Sequence, residues 1–374
     1  MSVTEAETAA LARARELALR GRGRVSPNPL VGAVVLRGSE TVAEGWHEGP
    51  GLAHAEAAAL AAAGEAARGA TVVCTLEPCS HQGRTPPCAD ALVAAGVSRV
   101  VMGLADPLER SRSQGREVLR AAGIEVEVVD GAEATACAEQ NAPFLTWAAT
   151  GLPHVTLKLA TSLDGKIATA AGESRWISGE ASRALVHRWR ADHDAVGVGL
   201  GTATADDPQL TARDVDGPVR QPARVVFDSA ARLPLRSALV RDAGEHRLIV
   251  LAAADAPPER VAALEAVGVE VARLPGGPAQ RVGAGLRALG ERGIQSLLVE
   301  GGAELAGALV AADAVDRVAW FLAPTLIGGR DAPSALGGAG APSLALAPRL
   351  TGMVTEAVGD DLLVSGRLRP LAGV

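Results

Sequence analysis

Thr75-Leu76-Glu77-Pro78-Cys79-Ser80-His81-Gln82-Gly83-Arg84-Thr85-Pro86-Pro87-Cys88 joins a β-branched run, Thr71–Leu76, to an Ala-rich segment, Cys88–Ala95. The run reads as a strand and the segment as a helix, so both cysteines sit where a sheet hands over to a helix. Upstream, His54-Ala55-Glu56 opens a second helical stretch, His54–Ala63. One imidazole and two thiolates leave the fourth tetrahedral position of zinc open, which separates a catalytic centre from a closed structural one. Glu56, two residues after His54 and not itself a ligand, is placed to take the proton of an attacking water and deliver it to a leaving nitrogen. His54, Cys79 and Cys88 are therefore the expected ligands of one zinc ion per chain. Glu56 is the expected catalytic residue for hydrolytic loss of an amine, the arrangement zinc base deaminases use.

Working outward, Leu30–Leu36, Arg99–Leu104 and Glu125–Val129 read as further strands of one sheet domain. At 374 residues the chain exceeds what one hydrophobic core usually supports. Ala132–Leu152 carries an Ala-rich helix and then a series of breakers, Asn141-Ala142-Pro143-Phe144 and Gly151-Leu152-Pro153. The boundary is expected near Gly151, giving domains 1–150 and 151–374. Beyond it, strands at Val155–Ala160, Ala195–Gly199, Ala223–Asp228, Arg247–Ala252, Ser296–Glu300 and Val318–Leu322 alternate with helices at Ala181–Arg190, Glu259–Ala266 and Gln280–Leu289. The second half is also α/β, and Gly337–Gly340 reads as a loop.

A net charge of −7 argues against capture of a nucleic acid, whose affinity comes from Lys and Arg on phosphates, and favours a small-molecule substrate. The arginine run Arg13, Arg15, Arg20, Arg22, Arg24 follows the capping-box pattern Thr4-Glu5-Ala6-Glu7 and reads as the solvated face of a helix. No basic-then-apolar leader and no stretch near the ~18 apolar residues of a membrane span is present, so the expected location is cytoplasmic. Four cysteines in such a chain suit metal or reactive chemistry better than a disulfide framework. Cys74 and Cys137 read as small buried hydrophobes.

The two cysteines are separated by eight residues, where zinc base deaminases commonly place two. With that loop, Thr75–Cys88 resembles the signature of the bifunctional riboflavin-biosynthesis deaminase/reductase family. Pro27-Asn28-Pro29-Leu30-Val31-Gly32 and Gly45-Trp46-His47 are similar to that family's pyrimidine-binding segments. By itself Asn28 is a plain turn residue between two prolines. The resemblance implies that Asn28 and His47 contact the ring, and that His81, Arg84 and Thr85 bind substrate from the long loop, Arg84 offering its fork to the ribose phosphate. It also implies a cytidine-deaminase-like three-layer α/β/α fold and, as substrate, 2,5-diamino-6-(ribosylamino)-4(3H)-pyrimidinone 5′-phosphate, deaminated at C2.

The second half lacks Gly-x-Gly-x-x-Gly after its first strand. Gly197-Val198-Gly199-Leu200-Gly201 is either a nucleotide loop or a tight strand exit. Val299-Glu300-Gly301-Gly302-Ala303-Glu304-Leu305-Ala306-Gly307-Ala308 is a strand running through two glycines into a helix, a generic anion site. Together with Lys158-Leu159-Ala160-Thr161-Ser162-Leu163-Asp164-Gly165-Lys166, Gly172-Glu173-Ser174-Arg175-Trp176-Ile177 and Thr202-Ala203-Thr204-Ala205-Asp206-Asp207-Pro208, it resembles the reductase half of the same family.

That resemblance implies a dihydrofolate-reductase-like α/β domain that uses NADPH to reduce ribosyl to ribityl. It places the cofactor against Ala160, Trp176, Thr202, Asp206, Ser229 and Gly302. The substrate falls against Ser174, Arg190, Leu210, Arg213 and Glu300, with Lys158 and Asp164 near the sugar. Arg190 and Arg213 fit a phosphate chemically, the lesser alternative being helix-surface or loop salt bridging. No side chain stands out as the general acid of the reduction, and a homo-oligomer, dimer or tetramer, is expected. Two other readings stand beside this one: a nucleoside, cytosine or tRNA deaminase fused to an unrelated module, and a ligand-binding relic, which has no use for Glu56.

Overall fold

The computed structural model describes residues 3–108, 114–217 and 219–371. The chain forms two compact units, one reaching to Thr150 and the other spanning Gly151–Pro370. Leu371 packs against the core of the first unit, so the second ends before the limit of 374 expected for it.

The first unit runs α1 (Glu5–Ala18), β1 (Gly32–Arg37), β2 (Glu40–Trp46), α2 (Ala55–Ala63), β3 (Thr71–Cys74), α3 (Cys88–Ala95), β4 (Arg99–Met102), α4 (Gln114–Ala121), β5 (Glu125–Val128), α5 (Gly131–Gln140) and α6 (Ala142–Thr150). Its sheet has the order β2-β1-β3-β4-β5, with β1 antiparallel to both neighbours and β3, β4 and β5 parallel. Consecutive residues of β1 and β4 are buried, which means that helices cover both faces. Leu11 and Leu17 of α1, Leu92 of α3 and Leu119 of α4 fill this core.

Gly45 sets the approach of α2. A Cβ there would lie 2.4 Å from the Ala55 carbonyl oxygen, so only glycine lets α2 lie flat on β2 and bring His54 and Glu56 to the sheet.

The second unit runs β6 (His154–Ser162), α7 (Glu180–Asp192), β7 (Ala195–Gly199), α8 (Leu200–Asp206), β8 (Ala223–Phe227), α9 (Ala238–Arg241), β9 (Leu248–Ala253), α10 (Pro258–Glu265), β10 (Glu270–Leu274), α11 (Pro278–Gly290), β11 (Ser296–Glu300), α12 (Ala303–Ala311), β12 (Arg317–Ala323), β13 (Thr351–Val358) and β14 (Asp361–Arg367). Its nine strands follow the order β10-β9-β8-β7-β11-β6-β12-β14-β13. All pairs from β10 to β12 are parallel, and the β13–β14 hairpin adds antiparallel to β12.

The α/β class expected for both halves holds, and three details differ. Asn141 ends α5 and Ala142-Pro143-Phe144 begins α6 directly after it, because Pro143 falls in the first helical turn, where its missing N–H costs nothing. β2, β10, β13 and β14 were not among the expected strands. β13 is exposed along almost its whole length and so has no apolar alternation. α1 ends at Ala18, so Arg20, Arg22 and Arg24 lie beyond it, while Arg13 pairs with Glu16 and Glu44 and Arg15 with Glu133. Among the described residues, no helix is long and apolar enough to cross a membrane.

Candidate active sites

His54 is the N-cap of α2, Cys79 lies on the loop after β3, and Cys88 is the first residue of α3. Nδ1 of His54 is 3.5 Å from the Cys79 sulfur and 3.3 Å from that of Cys88, and the three donor atoms lie within 4.8 Å of one another. A tetrahedral zinc with bonds of about 2.3 Å to sulfur and about 2.0 Å to nitrogen separates its N and S donors by roughly 3.5 Å, so the residues fit the ion.

Two further contacts fix the ligands. The Cys88 backbone N–H donates to the Cys79 sulfur at 3.3 Å, and Thr85 Oγ1 meets His54 Nε2 at 3.3 Å. The hydrogen bond with the Cys88 thiol, then that with His54, holds the Cys79 thiol well below its usual range. Glu56 is 3% exposed and lies against the Cys88 side chain, and burial pushes its carboxyl up to about 6.

Asn28 and His47 meet beside this cluster, with Nδ2 of Asn28 2.9 Å from Nε2 of His47. His47 Nδ1 lies 3.0 Å from the Ala53 carbonyl, which only accepts, so Nδ1 carries the proton and Nε2 receives the Asn28 amide. Burial keeps the ring neutral by lowering its pKa, and it stands edge-on to His54 at 5.2 Å. In the long loop, His81 Nδ1 is buried with no hydrogen-bond partner among the described residues, and Arg84 is exposed.

Two positioning residues escaped the sequence reading. The Asn141 side chain bonds both backbone groups of Leu30, at 2.8 and 2.9 Å, and so holds the Asn28 segment. Glu77 accepts the amides of Asp106 and Arg116, each at 3.2 Å, and pins the strand exit that leads to Cys79. A carboxylate on an otherwise apolar strand exit was the available signal for Glu77; Asn141 had none.

In the second unit a cleft of about 1640 Å³ opens over the carboxyl ends of β6, β7, β8 and β11, where open α/β sheets bind ligands. Its volume exceeds the roughly 300–1,000 Å³ of a single drug-sized site and leaves room for a dinucleotide and a second ligand. Ala160, Trp176, Thr202, Asp206 and Gly302 line it, as do Lys158, Ser174, Arg190, Leu210, Arg213 and Glu300.

Asp164 and Ser229 are not among its lining residues. The Asp164 carboxylate is engaged by Ser162 Oγ at 2.7 Å and by the amides of Ile327 and Gly328 at 3.0 and 2.7 Å, bonds that hold its pKa down to about 2. Ser229 is exposed on the turn after β8.

Gly301 and Gly302 adopt φ of 72° and 84°, open to glycine at little cost, and α12 begins without a side-chain cap on its first amides. A Cβ on Gly302 would stand 3.0 Å from Thr202 Oγ1, so the backbone itself forms this wall. The turn therefore fits a phosphate of NADPH. Gly197 packs its bare Cα face against Leu297 and Phe227 within the sheet, while Gly199 and Gly201 line the cleft.

Arg190 is engaged within the protein. Its Nε and Nη2 clasp the two Glu300 oxygens at 2.6 and 2.8 Å, and Nη1 reaches the Thr211 carbonyl at 3.2 Å. Burial raises the Glu300 pKa, but the charge and hydrogen bonds of Arg190 more than reverse this. Lys158, beside the pair, is lowered by burial against the opposing pull of Glu300. Arg183, His187 and Arg190 fall at i, i+4 and i+7 on the cleft face of α7.

Comparison with known proteins agrees with both halves. A family model described as the cytidine and deoxycytidylate deaminase zinc-binding region matches residues 4–104, and one described as the RibD C-terminal domain matches 153–364. Riboflavin biosynthesis protein RibD of Actinobacillus pleuropneumoniae is 40% identical over 94% of this chain and 93% of its own length. The RibD of Escherichia coli K12 is also 40% identical, over 94% of this chain and 96% of its own. The structure of Acinetobacter baumannii RibD, form 1, superposes with a TM-score of 0.87 at 36% identity, covering 97% of this chain and 99% of that one. A Thermotoga maritima structure described as a diaminohydroxyphosphoribosylaminopyrimidine deaminase/5-amino-6-(5-phosphoribosylamino)uracil reductase gives 0.82 at 36% identity, covering 97% and 98%. The chain belongs to the RibD family, bifunctional deaminase–reductases of riboflavin biosynthesis that use zinc and NADPH.

Proposed function

We propose that residues 1–150 deaminate 2,5-diamino-6-(ribosylamino)-4(3H)-pyrimidinone 5′-phosphate at C2 and that the cleft within 151–374 then reduces its ribosyl group to ribityl. The observation that carries the reading is the cluster of three ligand atoms within 4.8 Å beside the buried Glu56. His54, Cys79 and Cys88 hold zinc, which when bound activates water for attack near neutral pH. The Glu56 carboxylate takes a proton from that water and delivers it to the departing C2 nitrogen. Asn28, oriented by His47, grips the ring, while His81, Thr85 and the exposed Arg84 close on the ribose phosphate.

In the cleft, Ala160, Trp176, Thr202, Asp206 and the Gly302 turn bind the dinucleotide, and Ser174, Leu210, Arg213 and the Arg190–Glu300 pair shape the place of the ribotide. When bound, NADPH would supply the hydride for C1′, electrophilic once the furanose opens to the imine, with the nitrogen taking its proton from water and the cofactor leaving as NADP+. The protein's part is to align the two ligands. Feeding the ribotide with NADPH should release ammonia and oxidise the cofactor; ammonia without oxidation sinks the second half of the reading.

The protein acts as a homo-oligomer, dimer or tetramer, in the cytoplasm. Support for assembly comes from the C-terminal hairpin, where Met353 and Val354 are 62% and 57% exposed, and from Leu344, earlier in the chain, which is 88% exposed. The free state of all four cysteines suits a reducing compartment. Sedimentation should give a dimer or larger for the native chain and a monomer for the Met353→Glu/Val354→Lys variant. A monomeric native chain overturns the assembly.

A further inference from the structure

The cleft helix α7 has no cap of its own. Its N-cap is Gly179, which carries no side chain to accept the first amides. The helix start is tied down instead from the far end of the chain: Asp361 Oδ2, on β14, receives the N-cap residue's own N–H, that of Gly179, at 2.8 Å and the Ser182 hydroxyl of the first turn at 2.5 Å. Asp361 is 3% exposed, so its negative charge faces the positive end of the helix with little screening. The hairpin turn is fitted to the same place, since a Cβ on Gly359 would lie 3.1 Å from the Ala181 side chain.

What Asp361 holds is one wall of the cleft. The Ser178 carbonyl, next to that amide, accepts Arg183 Nη1 at 2.6 Å, and the Arg183 guanidinium sits 4.7 Å from the centre of the Trp176 ring. Farther along the same face of α7, Arg190 clasps Glu300. A shift at the start of α7 therefore moves Trp176, Arg183 and Arg190 together.

We propose that Asp361 is a positioning residue for the reduction, fixing the turn 176–179 and the start of α7 so that the cleft keeps its cofactor-binding shape. This rests on the reading that the cleft carries the reduction. Asp361 does not itself line the cleft; it holds the start of α7 and its charge also reaches Lys158 in the cleft, a second influence that Ser182→Ala leaves in place.

The test compares Asp361→Ala, Asp361→Asn and Ser182→Ala with the native enzyme, measuring NADPH oxidation on the deaminated ribotide and ammonia release in the same preparations. Asp361→Ala should raise the KM for NADPH about tenfold with kcat changed less than about threefold, the size of effect expected when hydrogen bonds to a carboxylate are lost. Asp361→Asn keeps the acceptor and should restore the KM to within about twofold of native. Ser182→Ala should show a smaller rise of the same kind and keeps the test open if Asp361→Ala does not fold. Ammonia release should stay native throughout. Unchanged KM and kcat in Asp361→Ala, with only a lowered Tm, overturn the proposal; a native enzyme that oxidises no NADPH on this substrate overturns instead the reading of the cleft beneath it.

Discussion

Replacing Glu56 with Gln is expected to lower ammonia release by about 10²–10⁴-fold, the usual contribution of a positioned acid–base group, while zinc stays at one per chain. The amide keeps the shape and burial of the side chain but can neither take the proton of the water nor return it to the nitrogen. Cys88→Ala gives the contrasting outcome. It removes one of three donors, so both the metal and the ammonia are lost. Metal analysis beside an ammonia assay separates the two. NADPH oxidation on the already deaminated ribotide should continue in both variants, because the second unit has its own core and cleft. Full turnover by the Gln variant would falsify the role given to Glu56.

The second large effect falls on the buried ion pair of the reductive cleft. Arg190→Ala leaves Glu300 largely buried and deprived of both its bidentate hydrogen bonds, with burial raising its pKa against only Lys158 and His187. Breaking such a pair by removing one partner destabilises by about 3–5 kcal/mol, far more than an exposed pair is worth. NADPH oxidation should fall by more than about a hundredfold, since the wall that aligns the two ligands collapses or takes in water. Lys is no substitute, because a single ammonium cannot span two carboxylate oxygens in parallel. Removing both charges in Arg190→Ala/Glu300→Ala should recover part of the lost Tm without recovering oxidation. A double variant no more stable than the single one refutes the assignment of the cost to an orphaned Glu300.

The metal centre was legible because its chemistry demands particular residue types at particular junctions. His54 and Cys88 stand at helix starts and Cys79 at a strand exit, and each junction leaves a trace in local composition. The cleft was legible only through resemblance, since a strand ending in Gly301-Gly302 is common to many anion sites. Arg190 shows the limit most clearly. In sequence it suits a phosphate or a solvated surface, and its partner Glu300 is 110 positions away. The same holds for Asn141 on Leu30, 111 positions apart, and for Asp361 on Gly179, 182 apart. Ordinary polar residues carry no mark of a distant partner.

By itself, then, the sequence determined the two α/β units, the seam near Gly151 and the zinc-binding set His54, Cys79 and Cys88, all of which depend on periodicity or residue type within a short window. Tertiary structure alone decided that the Pro-containing stretch after Asn141 continues as helix, that Arg190 pairs with Glu300, that Asp164 is bonded to the 327–328 amides, and that the start of α7 is tied to the C-terminal hairpin. The physical reason is shared: a hydrogen bond or ion pair is set by distance and burial in space, and those exist only once the sheet has brought remote segments together.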